Sequence, residues 1–426
     1  MDTLSGHRVK TSNQTPKGLP QILAVFSASL AALSAGSLFT FPSPAIPKLL
    51  TEEYNFTIEQ ASYIPVISAV TMIFASPIFC VATDKIGRKR TLLLIFSGLA
   101  DAVLYAAIPT YIAEISTPKI RNLYGNAVIL FIFCGQLLSN SVGFYLTIPM
   151  TAFVLLIFPI LFLITFTLMP ESPYYLIMIG NEISAEESLQ KLRGLNNVQD
   201  ELKQISSDVK RQLSETGYFK DLWLNASNRK AMMIANLARA FQQLSGISAL
   251  MQYTQYIFLQ AGGEISSGAA SMIFAGMLVV VNIFIGVLSD KLGRKRSMIV
   301  SCIGCLFVLV SLATYFYLQT NTEVDLSRIT WIPLLGTVVY VFMYSLGLGF
   351  VPTIIVGEIF SATEKYLQKL RGFNNVQDKL KQISSDVKRQ LSETGYIKDL
   401  WLNASNCKAM MIANLARANK YAVSRY

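Results

Sequence analysis

One histidine, His7, and five scattered cysteines are all that this 426-residue chain offers for binding a transition metal or building a nucleophilic triad. Structural zinc needs clustered Cys and His, and a Ser- or Cys-based triad needs a histidine near its nucleophile. Neither set can be assembled, so no metal, no cofactor and no enzymatic chemistry is expected. Cys80, Cys134, Cys302 and Cys305 lie inside apolar runs and Cys407 stands apart, which implies no disulfide framework. Cys302-Ile-Gly-Cys305 has CxxC spacing but no histidine or second pair nearby, and reads as two small buried apolar residues. Charge is scarce as well. Only 15% of the residues are charged, against about a quarter in a soluble domain.

What fills the chain instead is apolar: 52% of the residues, with a mean hydropathy of +0.45. Apolar runs long enough to cross about 30 Å of hydrocarbon recur along it. Eight are clear, at about 20–48, 61–82, 123–147, 151–169, 231–260, 269–289, 297–318 and 331–356, and a ninth occupies 91–115. The expected fold is all-α, a polytopic transmembrane helical bundle in a lipid bilayer. The first run is too long for a signal-peptide core and lacks a cleavage site, so it reads as a membrane span preceded by a polar tail, residues 1–19.

A net charge of +10 is of the kind nucleic-acid binders carry, but its distribution removes that reading. Segment 189–240 holds nine Lys/Arg against five Asp/Glu, and segment 367–418 holds nine against four, so nine of the ten net charges sit in two loops. Basic loops are what retention on the cytoplasmic side of a membrane produces. Within 171–230, Val198, Leu202, Ile205, Val209 and Leu213 recur at helical spacing after Asn196 and Asn197, which predicts an amphipathic loop helix with an N-cap.

Two repeats differ in kind. Asp84-Lys-Ile-Gly-Arg88-Lys89-Arg90 and Asp290-Lys-Leu-Gly-Arg294-Lys295-Arg296 fall once in each half, as expected of two related bundles. Residues 189–240, by contrast, recur at 367–418 with four differences in 52 positions: Leu195/Phe373, Glu201/Lys379, Phe219/Ile397 and Arg229/Cys407. Such near identity reads as a recent duplication. The expected organisation is a tail at 1–19, an N-terminal bundle at 20–170, a cytoplasmic helical loop at 171–230, a C-terminal bundle at 231–360 and a copied loop at 361–426.

The paired D-K-x-G-R-K-R turns resemble those of the major facilitator superfamily. Pro170-Glu-Ser-Pro-Tyr-Tyr-Leu176 and Gln242-Gln-Leu-Ser-Gly-Ile-Ser248 resemble the sugar-porter family within it. Tyr111-Ile-Ala-Glu-Ile115 leading to Lys119-Ile-Arg121, and Gly357-Glu-Ile-Phe360, are similar to its fourth and tenth spans, and the nearest flavour is the facilitated trehalose and glucose transporters of insects. The resemblance covers roughly residues 20–360 and implies a multi-pass plasma-membrane sugar transporter working by alternating access. It implies sugar contacts for Gln136, Gln242 and Gln243, with Ser248 and Thr353 standing where the family usually has Asn and Trp. Neutral amides suit sugar hydroxyls, which both donate and accept. It also implies a set of gating charges: Asp84, Arg88, Glu114, Arg121, Glu171, Asp290, Arg294 and Glu358. Proton symporters of the family carry an acid in the first span; residues 20–48 contain no Asp, Glu or His, so a uniporter is expected.

Two departures from the family pattern stand out. The stretch 91–115 is long enough for one span where the family has two, with Asp101 at the junction. A single crossing there would put the basic 189–230 loop and Arg294-Lys295-Arg296 outside, so either the stretch does not cross or the topology is frustrated. After Phe360 the copied loop stands where the last two family spans belong. The chain as given is therefore expected not to transport sugar itself: a defective or alternative product, or a non-transporting membrane protein. An organic-solute porter of the same superfamily is the remaining alternative. Asn55-Phe-Thr57, between the first two spans, is an expected glycosylation site.

Overall fold

The computed structural model describes residues 18–93, 100–117, 120, 127–214, 226–322, 326–349 and 351–352, and among these it is helical throughout, with no strand. It divides into two compact units, residues 1–222 with 232–354 and residues 223–231 with 355–426; all the contacts below lie within the first.

The first span is two helices, α1 (Leu19–Thr40) and α2 (Pro42–Leu49), separated at Phe41 where three prolines begin to follow one another closely. A stripe of alanines, serines and Gly36 on α1 lets α6 (Ala127–Tyr145) come close. A Cβ on Gly36 would collide with the Ile132 carbonyl, and one on Gly135 with the Leu33 carbonyl. The serines cost little there, because Ser29, Ser34 and Thr40 bond back to carbonyls of their own helix.

The second span, α3 (Ile58–Ile86), starts at a reciprocal cap: Thr57 Oγ1 accepts from Gln60 N–H, and Gln60 Oε1 accepts from Thr57 N–H. It ends at Gly87, whose φ of 110° excludes other residues. The space excludes them too, since a Cβ there would lie 2.6 Å from Glu171 Oε2 and 2.9 Å from the Tyr175 ring. Asn55, in the connection before α3, is exposed and marks the opposite end of the molecule from Gly87.

After Gly87 come α4 (Arg88–Leu93) and α5 (Ala100–Ile115). Arg88 opens this stretch and Glu114 nearly closes it, and the two form an ion pair at 3.0 Å. The chain therefore returns to the end it left, and 91–115 does not cross. Of the two outcomes the sequence left open, this one keeps every later basic loop on the Gly87 side. Arg193, in the loop domain, confirms the placement by donating to the Ile115 carbonyl at 2.8 Å.

Crossings resume with α6 and α7 (Ile148–Thr167), the latter ending where Lys89 Nζ caps the Thr167 carbonyl at 2.7 Å. The loop domain comprises α8 (Pro173–Met178), α9 (Glu182–Arg193) and α10 (Gln199–Ser214). Val198, Leu202, Ile205 and Val209 bury one face of α10 against Ala185, Leu189 and Ile177, as their spacing predicts. Leu213 departs from the pattern and is half exposed.

The second half has a broken span, α11 (Ala226–Leu244) and α12 (Ile247–Ala261), then α13 (Ser267–Leu292), α14 (Arg294–Asn321) and α15 (Ile332–Leu346). Six described segments are long and apolar enough to cross a membrane, and α15 is a shorter apolar helix. With the broken span these make up the eight clear runs of the sequence. A Cβ on Gly268 of α13 would overlap the Phe144 ring of α6, so the two halves also meet closely here.

Candidate functional site

Gln136 follows Gly135, so the residue that lets α6 approach α1 also fixes which way the glutamine turns. Its side chain is 3% exposed and faces α12, with Nε2 3.6 Å from Met251 Sδ. A thioether is a weak acceptor, and Gln136 Oε1 has no hydrogen-bond partner at all. One turn further along α6, Asn140 Nδ2 donates to the Gln136 carbonyl at 3.0 Å. Asn140 Oδ1 accepts from Ser43 Oγ of α2 at 2.7 Å, and Ser43 Oγ in turn accepts from the backbone N–H of Gln255 on α12 at 3.3 Å. Ser139 Oγ and Gln255 Oε1 are buried without partners.

This is a buried, neutral, polar cluster shared by α2, α6 and α12. A buried polar group without a partner costs about 1–3 kcal/mol. Three such oxygens on two neighbouring helices, each able to accept a hydrogen bond, suit a ligand that brings hydroxyl donors and no charge. Gln136 was legible as a candidate in the sequence. Ser43, Ser139, Asn140 and Gln255 were not, although amides four residues apart in apolar runs, Gln136 before Asn140, carry some signal.

The other predicted contacts lie around the break between α11 and α12. Gly246 adopts a left-handed conformation with φ 83°, and α12 starts after it. The freed Ser245 carbonyl accepts the Tyr340 hydroxyl of α15 at 2.8 Å. Gln242 is 5% exposed and bonded at both ends: Nε2 donates to the Leu348 carbonyl at 2.7 Å, and Oε1 accepts from Arg239 at 2.8 Å. In this conformation its amide joins α11 to the turn that ends α15. Gly347 lies against the Ser297 backbone there, and Ser301 Oγ accepts from Leu348 N–H. Gln243 is exposed and accepts from Ser248 Oγ at 2.6 Å, so these two predicted contacts form one unit. Thr353 lies outside the described residues.

Among the charges, Arg88 is the centre. Its side chain grips Glu114 through Nε and Nη2, pairs with Asp84 at 3.3 Å and lies 5.4 Å from the centre of the Tyr175 ring. Ser172 Oγ donates to Glu114, and Glu171 accepts from Lys89 N–H at 2.9 Å. The D-K-I-G-R-K-R, Y-I-A-E and P-E-S-P motifs thus close on one another, tying α3, α4, α5 and α8 together within the first half. Arg121 and Glu358 lie outside the described residues, as does the Asp290 side chain; Arg294 opens α14 at the corresponding turn.

The chain is similar to known proteins in sequence and in fold. The family model described as "Sugar (and other) transporter" matches residues 95–368. The facilitated trehalose transporter Tret1 of Anopheles gambiae is 31% identical over 375 residues, covering 80% of this chain. This chain spans 46% of that protein's length. Tret1 of Polypedilum vanderplanki is also 31% identical, with 80% of this chain and 73% of the relative covered. The solved structure of the major facilitator superfamily proton:xylose symporter XylE, bound to 6-bromo-6-deoxy-D-glucose, superposes with a TM-score of 0.61. Identity there is 19%, over 79% of this chain and 81% of the other, which shows a shared fold.

Proposed function

The chain belongs to the sugar transporter family, and from that premise we propose that it binds a neutral sugar, trehalose or a hexose, at Gln136 and serves passive uniport by alternating access. The observation that carries the reading is the set of unpartnered buried oxygens, Gln136 Oε1, Ser139 Oγ and Gln255 Oε1, beside a network whose described hydrogen bonds join neutral groups. Sugar hydroxyls are donors of the kind those oxygens lack. Gln242, Gln243, Ser248 and Thr353 would complete the ring of contacts in another conformation, once the break between α11 and α12 shifts. The names of the insect relatives support trehalose as the first sugar to try.

Passive transport is favoured because the first span carries no Asp, Glu or His. Its one charge, Lys48, is engaged by the end of α6, where Nζ donates to the Gly143 carbonyl at 2.5 Å and to that of Leu146. The plasma membrane is the proposed location. The charges Asp84, Arg88, Glu114, Arg121, Glu171, Asp290, Arg294 and Glu358 are proposed to bias the two end states as a network, individual surface pairs being weak.

A second reading, that the chain binds sugar but does not move it, is favoured by the Arg88–Glu114 pair. The stretch it closes returns without crossing, which leaves the first half with four crossings. Alternating access needs two bundles that can rock around a midplane site. Reconstitution of the full chain in liposomes separates the readings. Saturable entry of labelled trehalose above empty vesicles supports uniport, whereas saturable binding without entry supports the second reading.

A further inference from the structure

Helices α6 and α12 run in the same direction and in register through the buried cluster. Gln136 faces Met251, and one turn on, Asn140 reaches Gln255 through Ser43. Both steps lead toward the Asn55 end, because Lys48 at the end of α2 caps the carbonyls that finish α6. The three unpartnered oxygens therefore lie on two levels. Gln136 Oε1 marks the inner level, and Ser139 and Gln255 mark a level about one helical turn, about 5.4 Å, further out.

A single pyranose ring set against Gln136 satisfies the inner level and leaves the outer oxygens without donors. Two rings joined by a glycosidic bond are offset by a distance comparable to one helical turn. Resting on the sugar reading proposed above, we infer that Gln255 and Ser139 contact the second ring of a disaccharide and set the preference for a disaccharide over a monosaccharide. Asn140 and Ser43 act as positioning residues. Asn140 holds the Gln136 carbonyl from one side and, through Ser43, the backbone of Gln255 from the other, so the two levels keep their spacing. The specificity follows from acceptor placement: a ligand lacking the second ring leaves Gln255 Oε1 and Ser139 Oγ buried and unpaired, as they are without it.

The test uses the purified full chain, labelled trehalose as the probe, and unlabelled trehalose and glucose as competitors. Gln255→Leu keeps the side-chain bulk and removes the acceptor. Ser139→Ala removes no hydrogen bond in the structure, so it carries the test even if Gln255→Leu fails to fold. Each variant is expected to weaken trehalose roughly tenfold while changing the glucose inhibition constant less than twofold, so that the ratio of the two falls. Equal weakening of both sugars would mark these residues as packing groups and overturn the inference, leaving the sugar reading in place. Unchanged affinity for both would also overturn it. Failure of both sugars to compete in the unmodified chain would overturn the sugar reading itself, and this inference with it.

Discussion

Arg88 and Glu114 are 26 residues apart in sequence and meet at 3.0 Å. Everything between them must leave the Gly87 end of the molecule and come back to it. A stretch whose length suits one crossing is thereby converted into none, and the positive-inside pattern of the remaining loops is preserved. The pair is more than a topological marker. Arg88 is 7% exposed and Glu114 14% exposed at their side chains, and Thr83, Ser172 and the Tyr175 ring complete the shell around them.

Breaking this pair from one side is expected to be costly. Arg88→Ala or Glu114→Ala strands a buried charge, which is worth about 3–5 kcal/mol. The double replacement Arg88→Met with Glu114→Leu removes both charges and should recover most of that loss. Melting temperatures of the detergent-purified variants check this; a double variant no more stable than the singles would show that the pair is not the unit that holds α4 to α5.

The topology makes a separate prediction. Asn55 is exposed, on the opposite end from the basic loops, and should be glycosylated. Asn225 and Asn403 fall in the two copies of the basic segment and should stay unmodified. A glycosidase-sensitive shift in gel mobility should vanish with Asn55→Gln. A shift that survives Asn55→Gln and disappears with Asn225→Gln would invert the proposed orientation.

Two glycines with positive φ differ in what surrounds them. Gly246 has φ 83° and open space where a Cβ would go, so Gly246→Ala should cost only backbone strain, about 1–2 kcal/mol. Gly87 has φ 110° with Glu171 and Tyr175 in the way, so Gly87→Ala should cost distinctly more. Thermal denaturation of the two variants side by side is the check, and the reverse order would contradict the packing described at the D-K-I-G-R-K-R turn.

Much of this was legible in the sequence because membrane spans are constrained by length and polarity alone. The amphipathic α10 was visible from its spacing. The return of 91–115 was only one of two outcomes that the charge pattern left open, because it is decided by a long-range ion pair that hydropathy does not report. Gln242 shows another limit. Its motif marks it as a sugar ligand, yet here its amide is bonded to Leu348 and Arg239. Gln255 shows the converse: one of three glutamines in α12, it attracts no notice until its burial and its missing partner are known.

Gln242 accordingly has a structural consequence of its own. Gln242→Ala leaves the Leu348 carbonyl without its side-chain donor and is expected to lower stability by about 1 kcal/mol or more. A melting temperature unchanged by this substitution would argue that the contact between α11 and the end of α15 is dispensable.

Energy coupling is tested by vesicles with an imposed pH difference. Because the first span offers no acid or histidine to carry a proton, any sugar entry should be the same whichever side is more acidic. Accumulation that follows the proton gradient would overturn the uniport assignment.

The central claim is that sugar binds at Gln136, and equilibrium binding of labelled trehalose to the purified chain tests it most directly. The account predicts saturable binding, displaced by unlabelled glucose, and weakened roughly tenfold in Gln136→Ala at an unchanged melting temperature. Binding that is identical in Gln136→Ala, or no saturable binding by the intact chain, would contradict it.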